Sequence, residues 1–167
     1  MYYIEDNNFL TQDQKDWLDD VLSERKLNFV FSQDAAKIGD KGSHFVHHSL
    51  HDGVALPTFD KFKDILSTFC IKNNIKINYI HRMAVNITFN NGSVYKCPIH
   101  TDHDYEHKQL LLYLNDATGD TIILDENDKV FKVSNPEKYK GICFGRTKHY
   151  HYFPITGVRQ VAVFTFS

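Results

Sequence analysis

Hydrophobic positions recur by threes and fours in two early segments of the chain, then largely by twos over its second half. In the first segment Trp17, Leu18, Val21 and Leu22 share one helical face. Thr11, with Gln14 three residues later, forms a capping box that starts this helix, and Phe9 or Leu10 serves as its hydrophobic staple. In the second, Phe59, Phe62, Ile65, Leu66 and Phe69 line one face behind Pro57 and Thr58, and Asn73 and Asn74 stop the helix. Between them the pattern predicts a short strand at 27–31, a loop through Ile38, Gly39, Asp40, Lys41, Gly42 and Ser43, and a strand over 44–50.

From Ile75 the period changes. Residues 75–90 are rich in β-branched and aromatic types, and Asn90-Asn91-Gly92 marks a turn into 93–100. Further strands are predicted at 109–115, 121–125, 129–133, 140–144 and 159–166, joined by short turn-prone connections. Two helices followed by eight to ten strands predict a mainly β fold with flanking N-terminal helices: a closed or sandwiched antiparallel sheet with the helices packed outside. One domain spans 1–167, with helices and early strands in 1–74 and the core in 75–167. There is no P-loop, no GxGxxG and no internal repeat to favour another fold.

Composition excludes several classes. A chain of 167 residues, 42% of them hydrophobic, supports one sizeable core. Nineteen basic against 21 acidic residues give a formal charge of -2, so the balance implies no strongly basic nucleic-acid tract. The opening MYYIEDNNFL lacks a basic then apolar leader pattern, and the longest apolar run, 110–114, is too short for a bilayer. The expectation is a soluble cytoplasmic protein without a membrane partner. Cys70, Cys97 and Cys143 are odd in number and widely spaced, which predicts buried free thiols.

The ten histidines point to the chemistry. His100 and Asp102 are two residues apart, so on an extended backbone both side chains leave the same face and can meet one ion. A third imidazole from another strand completes a two-His, one-carboxylate set, which suits non-haem Fe(II) and leaves coordination positions open. His149 lies 49 residues further on, and Arg159 ten beyond that, opening an apolar final strand. His151 shares the face of His149 if that strand continues, and rivals it as third ligand.

Four pieces of the chain resemble the Fe(II)- and 2-oxoglutarate-dependent dioxygenases, in particular their prolyl-4-hydroxylase-like branch. They are His100-Thr101-Asp102, Tyr113-Leu114-Asn115, Gly119-Asp120-Thr121, and His149 followed by Pro154, Gly157 and Arg159. The resemblance covers about residues 75–167. The ten-residue step to Arg159 matches the family pattern from His149 and not from His151.

The resemblance implies a double-stranded β-helix, also called a jelly roll and cupin-like. It implies His100, Asp102 and His149 as iron ligands and catalytic centre, Arg159 as partner of the distal carboxylate of 2-oxoglutarate, and Tyr113 as a second donor to that carboxylate. Tyr95, on the segment entering His100, is expected to face the pocket and bind cosubstrate or substrate, or else to be a barrel-wall aromatic. The implied cofactors are Fe(II), 2-oxoglutarate and O2, with ascorbate as a supporting reductant. The implied reaction hydroxylates an unactivated C–H bond, that of a peptidyl proline among the candidates, and releases succinate and CO2. A peptide or small-molecule substrate is expected over nucleic acid, and a monomer or weak homo-oligomer. The alternatives are a metal-dependent hydrolase or isomerase on the same ligands and a non-enzymatic cupin-like metal- or ligand-binding module.

Other residues divide between pocket and framework. Asn86 and Thr121 interrupt apolar strands as candidate pocket residues, and Arg82 and Arg146 are candidates for pocket or rim. His44, His47, His48 and His51 either line a cleft or decorate an ordinary strand. His103 and His107 are expected to face solvent or lie behind the metal ligands, and His81 to be a satisfied structural group. Phe131, Phe144, Phe164 and Phe166 are expected in the core. The short stretch between Asp120 and Lys140 holds one hairpin, which leaves substrate selection to 32–57 and 90–98.

Overall fold

The computed structural model describes residues 1–23, 26–34, 36, 39–90, 92 and 95–167; the expectations placed on Ile38, Asn91 and residues 93–94 lie outside them. The Thr11 capping box forms as its residue types dictate. The Gln14 N–H donates to Thr11 Oγ1 at 3.2 Å, and the Thr11 N–H donates back to Gln14 Oε1 at 3.1 Å. They open helix α1 (Gln12–Ser23). The Gln14 amide also donates to Asp64 and Thr68 at 2.7 and 2.8 Å, which ties α1 to helix α2 (Phe59–Lys72). Asn73 ends α2, and Asn74 follows in the left-handed region at φ 55°.

Among the described residues eleven strands form, all paired antiparallel: β1 (Tyr3–Asp6), β2 (Val30–Ser32), β3 (His44–His51), β4 (Val54–Ala55), β5 (Ile80–Phe89), β6 (Lys108–Tyr113), β7 (Thr121–Leu124), β8 (Val130–Ser134), β9 (Gly141–Gly145), β10 (His149–His151) and β11 (Val158–Phe166). The larger sheet runs β1-β9-β6-β11-β5-β3-β2, with β4 beside β3; the smaller runs β10-β7-β8. This is the mainly β class with outer helices that the sequence predicts, laid out as a double-stranded β-helix.

The central strands β6, β9 and β11 of the larger sheet are largely buried on both faces, and alternation along them decides which core a side chain joins. Leu110 and Leu112 of β6, with Ala162, Phe164 and Phe166 of β11, pack beneath the two helices. Leu111, Tyr113, Val161 and Val163 point the other way and meet Ile123 of β7 in a second core between the sheets. Gly141 lets α2 sit close, since a Cβ there would lie 2.8 Å from the Phe9 ring and 3.0 Å from that of Phe69. Phe69 is fully buried and meets Phe9 edge-on at 4.9 Å. We predict that Phe69→Ala destabilises the protein by about 3–5 kcal/mol, read from the midpoint of urea unfolding.

Several expectations are corrected. The strand predicted at 27–31 starts only at Val30, because Leu27 is buried in the helix-side core and Phe29 packs against it, while the Asn28 carbonyl bonds the His47 ring. Residues 75–79 stay outside the β5 ladder, with Ile75 and Ile77 packed against that core. Strands β1, β4 and β10 were not expected: each is two to four residues long, too short to display an alternating pattern. Phe131 is 44% exposed, since β8 is an edge strand, and its ring meets Tyr3 edge-on; Phe144, Phe164 and Phe166 are buried.

Candidate metal and cosubstrate site

Residues 95–100 run antiparallel to β10 and its continuation. The Phe153 N–H donates to the Tyr95 carbonyl at 2.9 Å and the Cys97 N–H to the His151 carbonyl at 3.0 Å. His100 and His149 exchange both backbone bonds, at 3.0 and 2.9 Å. That pairing sets the two imidazoles side by side, ring centres 4.5 Å apart. Asp102 follows, with Oδ1 3.8 Å from His100 Nε2. Among the described residues, one ligand atom each from His100, Asp102 and His149 lie within 4.8 Å of one another.

Backbone carbonyls decide which nitrogen of each ring is free. His100 Nδ1–H donates to the Pro98 carbonyl at 2.8 Å and His149 Nδ1–H to that of Thr147 at 3.0 Å, which leaves both Nε2 lone pairs for a cation. Gln109, 1% exposed, brings its side-chain amide to 3.3 Å from His149 Nδ1. Burial pushes His149 down to about 4, against the pull of Asp102. Burial opposes ionisation of Asp102, but Arg82, 3.8 Å away, together with His149 and His100, holds its carboxyl below the usual range. Two neutral imidazole nitrogens and one carboxylate fit a first-row divalent ion such as Fe(II).

These shifts set a pH dependence for the ion-free protein. Below about pH 6.5 an unfolded histidine takes up a proton while folded His149 does not until about pH 4, so stability is lost as pH falls through that window. His151, also depressed by burial, acts in the same direction. Thermal denaturation should therefore show Tm falling between pH 6.5 and 4, and His149→Ala should flatten the slope.

The ligand group forms one end of a cavity of about 310 Å³ whose wall carries His44 and His48 of β3 and Arg82, Asn86 and Thr88 of β5. Arg159 lines the same cavity and is 4% exposed. Its Nη2 donates to Thr121 Oγ1 at 2.8 Å, its guanidinium lies 5.5 Å over the Tyr113 ring, and its Nε has no partner among the described residues. Burial lowers the Arg159 pKa, although a guanidinium remains charged. Gly119, at φ +100°, gives this side chain room: a Cβ would lie 3.2 Å from Arg159 Cδ and 2.5 Å from the Tyr152 carbonyl oxygen.

Tyr113 is fully buried, and its hydroxyl donates to Thr121 Oγ1 at 2.8 Å, with the Ser134 carbonyl 3.3 Å away. It supports Arg159 through Thr121 and does not itself line the cavity. Tyr95 is 71% exposed, stacked on Tyr152 at 6.2 Å and outside the cavity lining.

The remaining candidates sort by strand face. Asn86, Thr121, Arg82, His44 and His48 line the cavity, whereas His47 turns away to the Asn28 carbonyl and Thr58 Oγ1. His51 is exposed, and Arg146 pairs at the surface with Glu106 at 3.5 Å. His107 is buried, not solvent-facing, because its Nδ1 bonds the Tyr105 carbonyl and its ring packs on His103. His81 is not fully satisfied among the described residues: its Nε2 is buried without a partner there, beside the aromatic rings of Tyr79, His103 and Tyr105. Sequence reasoning missed Gln109 and the Cys97–His151 pair; the polar interruption in QLLLY was the signal for the first.

The fold is that of the 2-oxoglutarate- and Fe(II)-dependent oxygenases. A 2OG-Fe(II) oxygenase family oxidoreductase from Burkholderia pseudomallei superposes with a TM-score of 0.78 at 16% identity, over 99% of this chain and 84% of that one. A prolyl hydroxylase from Trichoplax adhaerens, in complex with a hypoxia inducible factor oxygen degradation domain peptide fragment, gives 0.70 at 16% identity, over 98% and 82%. The non-heme alpha ketoglutarate dependent epimerase SnoN from nogalamycin biosynthesis gives 0.68 at 12%, over 98% and 77%. No family model and no curated protein matches the sequence. No helix among the described residues is long and apolar enough to cross a membrane.

Proposed function

We propose that the chain is an Fe(II)- and 2-oxoglutarate-dependent oxygenase that hydroxylates an unactivated C–H bond. The observation that carries this reading is a His-Asp-His group and a buried Arg159 lining one cavity. His100, Asp102 and His149 would hold the ion, and Arg159, seated by Thr121, would take the distal carboxylate of the 2-oxo acid. Bound iron and cosubstrate supply the oxidation chemistry, using O2 and releasing succinate and CO2. The chain's part is to fix both imidazoles through Pro98 and Thr147, to keep Asp102 ionised, and to shut water away from Arg159.

A peptide or small molecule is the substrate class we infer, and a prolyl peptide is the first to test, because prolyl hydroxylases share the fold. Anaerobic Fe(II) and 2-oxoglutarate should give a metal-to-ligand charge-transfer absorption, and oxygen should then release succinate. Mass spectrometry of peptide and metabolite pools should find a product heavier by one oxygen. Turnover without O2 or 2-oxoglutarate would indicate a hydrolase or isomerase instead, and ligand binding without succinate a binding module.

A further inference from the structure

His151 lies outside the His100, Asp102 and His149 group yet lines the cavity, with the Cys97 thiol beside its ring. The Cys97 sulfur accepts the backbone N–H of His151 at 3.2 Å and lies 3.2 Å from His151 Nδ1. Burial pushes the Cys97 thiol up to about 11, so it is an S–H group at neutral pH. Where the thiol S–H donates to Nδ1, the imidazole is the tautomer that carries its proton on Nε2. The residue as a whole is partly exposed, but Nε2 is shut off from solvent and has no partner among the described residues. Phe153 packs edge-on against the ring at 5.3 Å.

The position of that N–H points to its acceptor. In the β10–β7 pairing His151 stands opposite Thr121, whose hydroxyl accepts from Arg159 Nη2. Arg159 Nε is likewise buried without a partner among the described residues. Two unmatched N–H donors therefore flank Thr121 at one end of the cavity, and a carboxylate has two oxygens to satisfy both.

Resting on the oxygenase reading, we propose that His151 is a cosubstrate-binding residue whose Nε2–H donates to the distal carboxylate of 2-oxoglutarate beside Arg159. The carboxylate is then held by a charged and a neutral donor, and a 2-oxo acid without it forfeits both contacts.

The test begins with the Fe(II)-loaded wild-type protein, titrated anaerobically with 2-oxoglutarate and followed by its charge-transfer absorption. His151→Leu, which keeps bulk and removes the N–H, is expected to raise the 2-oxoglutarate Kd at least about tenfold, with Fe(II) affinity unchanged within about twofold. His151→Gln restores a donor and should recover most of the loss. 2-Oxobutyrate, which lacks the distal carboxylate, should bind wild type and His151→Leu alike. In the Zn(II)-loaded wild-type protein labelled with ¹⁵N-histidine, the His151 Nε2–H resonance should move when 2-oxoglutarate is added, a readout that needs no variant to fold. An unchanged Kd in His151→Leu, an equal loss for 2-oxobutyrate, or a static resonance overturns the proposal. A wild-type protein that binds Fe(II) but never shows the absorption overturns the oxygenase reading, and the proposal with it.

Discussion

Asp102→Ala is expected to abolish tight Fe(II) binding while the chain stays folded. The variant removes the only anionic member of the ligand group and leaves two neutral imidazoles. It also leaves the Arg82 guanidinium, now 3.8 Å from an absent carboxylate, as an unneutralised cation beside the position of a dication. Removing the partners that orient metal ligands typically costs about 10–100-fold in affinity, so losing a ligand and exposing a repelling charge should exceed about 100-fold. Competition against a chromophoric chelator measures the affinity, and circular dichroism checks the fold. Retention of Fe(II) within about threefold of wild type would remove Asp102 from the metal site.

Arg159→Met should leave Fe(II) affinity intact and nearly eliminate 2-oxoglutarate binding. The side chain is buried and hydrogen-bonded, and its replacement matches the stem but not the charge. Truncating one partner of a buried charge pair costs about 2–5 kcal/mol, which is about 30-fold to several thousandfold in Kd. Arg159→Lys should rescue little, because an ammonium cannot reproduce both the Thr121 contact and a forked contact to a carboxylate. The charge-transfer titration reads the loss. Binding of 2-oxoglutarate by Arg159→Met at wild-type strength would place the distal carboxylate elsewhere.

The helices were legible in the sequence because capping chemistry and 3.6-residue periodicity are local, and both survive intact around Thr11 and Phe69. The long strands were legible for the same reason. What could not be read was short or depended on a distant partner. Strand β10 has three residues and exists because 95–100 and β7 pair with it from either side. His100, Asp102, His149 and Arg159 were found as residue types at suggestive spacings, but only the fold sets them around one cavity. Tyr113 and Tyr95 show the limit of spacing: one is sealed behind Thr121, the other stands in solvent. Whether Phe131 or Phe144 is buried depends on which strand lies at the edge of its sheet, a property of topology that alternation does not encode.

The shortness of β10 has a consequence for order of events. On the proposed assignment His149 would hold the ion and His151 the cosubstrate from one three-residue strand, so whatever stiffens one end of that strand restricts the other. Metal and cosubstrate thus share a common lever as well as a common cavity. By thermodynamic reciprocity, an ion that tightens 2-oxoglutarate binding is itself held tighter by the same factor. On that assignment the loaded centre would behave as a single cooperative unit, holding its ion more tightly while the cosubstrate stays bound.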